Sequence, residues 1–247
     1  MALPRRSLLR GAAALAAALA LPVPRAAAAG LPLEQRLQVC RPQGDPLQEL
    51  LRRNREFAAV WAQAQASGDP LERARLLQDA WPLHCQVRPG ALAEGQRPWA
   101  AVLACADSRV APEWLFASGS GELFEVRAAG NTAFDAGVAS LEYAVAELAV
   151  PLILVMGHSG CGAVKAALGS APLTPLLEDL VRPIRQALPQ AEAAGAASLE
   201  RAVKANASAA AAALPRRSAL LQQAVAEGRL RIQPAYCDIG SGRVSLV

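Results

Sequence analysis

Short apolar runs alternate with longer amphipathic ones over the second half of the chain. Trp99–Ala106, Glu122–Ala128, Pro151–Met156 and Leu230–Tyr236 have strand length and strand character. In the third of them Leu152-Ile-Leu-Val-Met156 is apolar on both faces, as a parallel strand covered above and below by helices must be. A helical stretch, 134–148, separates the second strand from the third, and an Ala-rich one, 198–227, precedes the fourth. Alanine's high propensity makes residues 192–213 regular helix and not low-complexity coil. Further upstream, Leu47, Leu50, Leu51, Phe57, Val60 and Trp61 recur at helical spacing within 45–78, interrupted by the turn Ser67-Gly-Asp-Pro70. Pro82, Pro89, Gly90 and Gly95 make 81–97 irregular. This order predicts an α/β fold: a doubly wound, mostly parallel central sheet flanked by helices, with an N-terminal helical arm.

The first 29 residues stand apart. Arg5, Arg6 and Arg10 precede an Ala/Leu run from Gly11 to about Leu21, and small residues follow Arg25, the order of a cleaved export signal. The run is too short for a membrane span, which takes roughly 20 apolar residues, so the mature protein is expected to have no stable span. Adjacent Arg5 and Arg6, with Leu8 and Leu9 after them, resemble a twin-arginine signal; a Sec signal with two ordinary basic residues is the alternative. The twin-arginine route exports folded protein, with any metal already loaded, to the periplasm or, where the source has one, a thylakoid lumen. The expected organisation is a leader over 1–29, an arm and irregular connection over 30–97, and an α/β core over 98–247 that forms one domain with the arm.

Removing the leader changes the charge argument. Of 25 basic residues against 21 acidic ones, four arginines lie in the leader, which has no acid, so the remainder is balanced at 21 against 21. The sequence pI of 9.0 is therefore largely the leader's, and a nucleic-acid-binding surface is not supported. No GxGxxG or P-loop pattern and no internal repeat is present.

Chemistry concentrates at two strand ends. Cys105-Ala-Asp-Ser-Arg109 follows the first strand, and Gly157-His-Ser-Gly-Cys-Gly162 follows the third and opens a helix. Ligands in such folds collect outside the carboxyl ends of the strands. If the two strands are neighbours, the Cys105 and Cys161 thiols and the His158 imidazole converge. Cys₂His is a donor set of catalytic zinc, with the fourth position open. A strand-end cysteine alone would be core packing, and an isolated Asp-x-Arg a structural salt bridge. In extended chain Cys105, Asp107 and Arg109 project to one side, so Asp107 can orient a metal-held water while Arg109 keeps its carboxylate ionised.

These residues resemble the β-class carbonic anhydrases, which share C-x-D-x-R and H-x-x-C. The likeness runs from Leu50-Leu-Arg-Arg-Asn-Arg-Glu-Phe57 through Gly121–Asn131 and Ser140–Tyr143 to Ala235–Val244, nearly all of the mature part. It implies the β-carbonic anhydrase fold and a zinc enzyme that interconverts carbon dioxide and bicarbonate through zinc-bound hydroxide, with Cys105, His158 and Cys161 as ligands and Asp107 and Arg109 as catalytic residues. It further implies a homodimer or higher homo-oligomer. Gln96, Phe124, Ala129, Tyr143 and Gly162 fall at substrate-pocket positions, and in the plant-like subclass Gln96, Phe124 and Tyr143 line the pocket across a dimer interface. The other subclass has a tryptophan three residues before the first cysteine; Val102 stands here, which favours an open site with Asp107 on Arg109 and not on the metal. Ala128 departs from the family's usual asparagine, and Cys237 is a neutral departure.

Five cysteines cannot all pair. In an exported chain Cys40 and Cys85 could form a disulfide; His84 and Cys85 are adjacent on an irregular segment and make a poor half of a metal site. With His158 on the metal, His84 is the sole histidine candidate for a proton shuttle, against buffer or water. Lys165 and Arg127 read as packing or pocket rim. Hydrolysis of carbon disulfide or carbonyl sulfide on the same scaffold, and a non-catalytic exported zinc protein, are the competing functions. Structural zinc needs none of Asp107, Arg109 and Gln96.

Overall fold

Strands β1 (Ala100–Cys105), β2 (Leu123–Ala128), β3 (Leu152–His158), β4 (Arg231–Asp238) and β5 (Arg243–Leu246) form one sheet in the order β2-β1-β3-β4-β5. β1 pairs in parallel with β2 and β3, β3 in parallel with β4, and β5 closes the far edge antiparallel to β4. The computed structural model describes residues 32–37, 40–79, 87, 89–188 and 196–247. The leader, Trp81, His84 and Cys85 lie outside the described residues, as does therefore the histidine shuttle candidate.

The helices in chain order are α1 (Leu33–Leu37), α2 (Pro46–Ala66), α3 (Pro70–Asp79), α4 (Pro89–Glu94), α5 (Pro112–Leu115), α6 (Asp135–Ala146), α7 (Gly162–Leu168), α8 (Pro175–Ala187), α9 (Ala196–Arg217) and α10 (Ala219–Ala226). Among the described residues no helix is long and apolar enough to cross a membrane. Alternation along the two central strands sorts the core into two layers. Val102, Ala104, Leu154 and Met156 face one side, where Val164, Val181, Ile184, Ala202 and Val203 cover them. Ala101, Leu103, Ile153 and Val155 face the other, under Val138, Leu141, Leu214 and Leu221. Both strands are buried along their whole length, which is why their residues read as continuous apolar runs.

Five differences from the sequence reading have local causes. β3 runs two residues past Met156, because Gly157 and His158 continue the ladder against Tyr236 and Cys237. The region 81–97 holds a helix, α4, whose Pro89 occupies the first turn, where its missing N–H costs nothing. The Ala-rich helix is two helices: Ser218 leaves helical geometry at φ −132° and its Oγ accepts from Leu221 N at 3.0 Å, capping α10. Helix α8 buries Val181 and Ile184 and carries Pro183 internally, a residue that ordinarily breaks a helix and so masks its apolar spacing. The short β5 buries only Val244, too little for a periodic pattern.

The arm helix α2 is capped by Asp45, which accepts from Leu47 N at 2.8 Å, and it docks through polar groups. Asn54, buried, donates to Leu115 O (3.1 Å) and Gly242 O (2.9 Å) and accepts from Val244 N (2.7 Å), joining α2 to α5 and β5. Arg53 reaches Glu122 at 3.0 Å and lies over the Trp99 ring. Glu122, only 2% exposed, also accepts from Trp99 Nε1 (3.1 Å) and Gly119 N (2.7 Å). Nearby, Leu37, Cys40, Val87 and Ala91 form a small separate core; Cys40 is disulfide-bonded, and Cys105, Cys161 and Cys237 are free.

Arg53→Met removes the positive partner of a buried carboxylate, and breaking such a pair costs about 3–5 kcal/mol. Urea unfolding of the variant at neutral pH measures it. A loss under about 1 kcal/mol would mean that Trp99 and Gly119 satisfy Glu122 alone.

Candidate metal centre

Because β1 and β3 are parallel neighbours, with Ala104 opposite Met156, their carboxyl ends open on the same edge of the sheet. Cys105 is the last residue of β1 and His158 the last of β3. Gly160 then turns the chain at φ +68°, a backbone that side chains disfavour, and brings Cys161 back before α7 begins. The donor atoms of Cys105, His158 and Cys161 all lie within 4.8 Å of one another, and all three residues are buried.

The chemistry of these atoms fits a divalent cation. His158 Nδ1 lies 3.0 Å from Ser159 O, which places the ring proton there and leaves Nε2 with a lone pair. That Nε2 is buried without a hydrogen-bond partner, a costly state unless it ligates. Ser159 is itself held: its N–H donates to Cys237 O (2.8 Å), and its Oγ accepts from Ile239 N (2.9 Å). The Cys105 thiol is pulled down to about 4, chiefly by its hydrogen bond with Cys161, then by His158 and the Gly130 amide, whose N–H lies 3.3 Å from Sγ. Cys161 is pushed up by that same Cys105 contact and by burial. Cysteine ligates as the thiolate, so binding a cation here would release protons from the pair.

Asp107 stands beside this cluster. Arg109 grips its carboxylate in a fork, Nε to Oδ1 at 2.8 Å and Nη2 to Oδ2 at 2.7 Å, and Arg109 N adds a third bond at 3.0 Å. These bonds, the side-chain pair first, hold the carboxyl well below the usual carboxylate range. Asp107 Oδ2 is 3.9 Å from His158 Nε2, too far for a hydrogen bond. The extended-chain alternation inferred from sequence is not what achieves this. β1 ends at Cys105, and a turn closed by Val110 N–H to Asp107 O (3.2 Å) folds Arg109 back onto Asp107.

The sequence-derived pocket residues divide between two ends of the sheet. Ala129 follows the end of β2, and Gly162 opens α7, so both lie on the edge that bears the cluster. Phe124 pairs with Ala101, four residues before the Cys105–Ala128 rung, hence roughly 13 Å away along the strand. Tyr143, half exposed, packs its ring 6.3 Å from that of Phe124. Exposed Gln96 precedes the start of β1. Within one chain these three do not reach the cysteines.

Two contributors were not read from the sequence. Gly130, at φ +78°, has no room for a Cβ, which would meet Ile184 Cδ1 at 2.7 Å, and its amide is thereby brought to Cys105. Asn206 of α9, buried, donates to Gly130 O at 2.8 Å and fixes that turn. The Gly after strand β2 was a visible signal; Asn206, within an alanine-rich helix, offered none.

The family profile described as Carbonic anhydrase matches residues 100–244, which contain the Cys₂His cluster, Asp107, Arg109, Gly130 and Asn206. The chain belongs to the carbonic anhydrase family. A carbonic anhydrase of Mycolicibacterium smegmatis is 38% identical over 164 residues, covering 64% of this chain and 79% of that protein. One of Pseudomonas aeruginosa is 38% identical over 187 residues, 69% of this chain and 82% of that one. Among solved structures, a tetrameric β-carbonic anhydrase of the filamentous ascomycete Sordaria macrospora superimposes with a TM-score of 0.59 at 25% identity, over 76% of this chain and 97% of that one. This carbonic anhydrase is of the β class, whose members are zinc enzymes, and its Cys₂His cluster suits zinc.

Replacing one donor leaves two, too few to hold zinc firmly. His158→Ala and Cys161→Ser are each expected to lower zinc from about one ion per chain to a small fraction, measured by elemental analysis of natively purified protein. Full occupancy in both variants would move the metal elsewhere.

Proposed function

We propose that Asp107 and Arg109 act beside a zinc ion held by Cys105, His158 and Cys161 in the reversible hydration of carbon dioxide to bicarbonate and a proton, the reaction of this chain's family. Zinc, when bound, supplies a positive charge that acidifies water and so provides a nucleophile at neutral pH. The chain's own groups do the rest. Asp107, kept ionised by Arg109, is an acceptor only, so it fixes the direction of a donor beside the cluster. The Arg109 fork fixes the carboxylate in turn. Ser159 O holds the His158 ring so that Nε2 faces the sulfurs. The observation that carries this reading is the ionised, doubly gripped Asp107 carboxylate, 3.9 Å from the unpartnered His158 nitrogen.

The finer assignments follow from placement. The Asp107–Arg109 pairing and Val102 support an open site of the plant-like kind. The gap that separates Gln96, Phe124 and Tyr143 from the cysteines supports their entering the pocket of a second copy, in a homodimer or larger homo-oligomer. The basic-apolar-small order of residues 1–29, with Arg5 and Arg6, supports export by the twin-arginine route.

Asp107→Asn keeps the shape and removes the charge. It should retain zinc and lower kcat about 100-fold or more, read by stopped-flow hydration with a pH indicator. Unchanged kcat would remove Asp107 from the mechanism. For export, residues 1–29 fused to a reporter that folds before transport should deliver it across the membrane, and the Arg5→Lys, Arg6→Lys double variant should not. Delivery by the double variant would exclude the twin-arginine route.

A further inference from the structure

The β1–β2 ladder closes at the rung Cys105–Ala128, after which Ala106 N–H donates to Ala128 O at 3.1 Å. The last residue in the ladder, Cys105, carries one of the cluster's sulfurs, and Asp107, which carries the carboxylate, lies two residues beyond it, outside the sheet. One side chain of the neighbouring strand spans this exit. Arg127 donates from Nε to Cys105 O (3.1 Å) and from Nη2 to Asp107 O (2.7 Å). Its acceptors belong to the residue that carries the sulfur and the residue that carries the carboxylate. Asp107 is accordingly held by two arginines: Arg109 on the carboxylate and Arg127 on the backbone.

The chemistry of the pair of acceptors calls for a fork. A guanidinium presents several N–H groups in one rigid plane and can fix two carbonyls at once, whereas an ammonium on a flexible stem is a point donor. β2 is an edge strand, with no described strand on its outer side, and its Arg127 reaches across to the end of β1 and to the turn that follows it.

We propose that Arg127 is a positioning residue, whose guanidinium sets the spacing between the Cys105 sulfur and the Asp107 carboxylate by fixing the two carbonyls that flank Ala106. The inference rests on the zinc assignment above. It predicts that losing the fork displaces reacting groups without removing any of them, and displacement of about 1 Å costs on the order of 100-fold in rate.

The test compares Arg127→Met and Arg127→Lys with wild type in the full mature chain, loaded with zinc for kinetics and with cobalt(II) for visible spectroscopy. Arg127→Met should lower kcat per bound metal by about ten- to 100-fold, with KM nearly unchanged, and should alter the cobalt absorption envelope. Arg127→Lys should recover part of the rate, since one donor reaches one carbonyl. Wild-type kcat per metal with an unaltered cobalt spectrum in Arg127→Met would overturn the proposal. If that variant does not fold, the same wild-type result in Arg127→Lys would overturn it. A fall in thermal stability with unaltered spectrum and rate would reduce Arg127 to a packing residue and overturn it equally. Absence of zinc from the wild-type protein would instead fail the metal assignment, so the two failures are distinguishable.

Discussion

The parallel pairing of β1 with β3 carries two residues far apart in sequence to one edge of the sheet, and every functional feature depends on it. Ala101–Ala104 run in register with Ile153–Met156, so Cys105 and His158 emerge side by side. A parallel ladder needs both faces covered, and the two apolar layers provide this. The cover also strips water from the edge. His158 and Cys161 have no exposure at all, and His158 Nε2 has no protein partner. Burial of a nitrogen and two sulfurs without solvent is unfavourable until a cation joins them. The hydrophobic core thus creates the demand that zinc meets.

Polar burial at the other end of the sheet serves a different purpose. Glu122 and Arg53 sit where β1 begins, with Trp99 and Gly119 completing the carboxylate's bonds. Such a pair contributes little net stability compared with apolar packing, and its attested use is to define register. Here it defines where α2 lies. Asn54 does the same one residue later, with three bonds to α5 and the β5 hairpin. An arm positioned by directional bonds has one docking angle, while apolar contacts alone would tolerate several.

The ligand cluster was legible because it needs only two facts: which runs are strands, and which side chains follow them. β1 and β3 announce themselves as unbroken apolar runs, and H-x-x-C at the end of β3 follows from the Gly160 turn. The Asp107–Arg109 contact was legible in outcome and not in cause, since a turn and not strand alternation makes it. What stayed hidden is long-range and polar. No periodicity marks Asn206 as the support of Gly130, or Arg127 as a clamp on the exit of β1, because each bonds to a backbone atom whose location depends on the finished fold. Gln96, Phe124 and Tyr143 are pocket residues by resemblance alone, and no pattern in the sequence marks their place at the opposite end of the strands from the cysteines.

The two arginines around Asp107 show why exposure is a poor guide to importance here. Arg109 is 54% exposed, so its ion pair adds little to stability. Its worth lies in direction, for a forked partner holds the carboxylate plane fixed and keeps the group ionised and accepting. A single lysine would neutralise the same charge and leave the carboxylate free to rotate. Arg127 spends its donors on carbonyls and neutralises nothing at the centre, yet it constrains the same residue from behind. Between them they remove the freedom of both ends of Asp107, backbone and side chain. The direction of the carboxylate is thereby set from two sides, with one guanidinium on the charge and another on the chain.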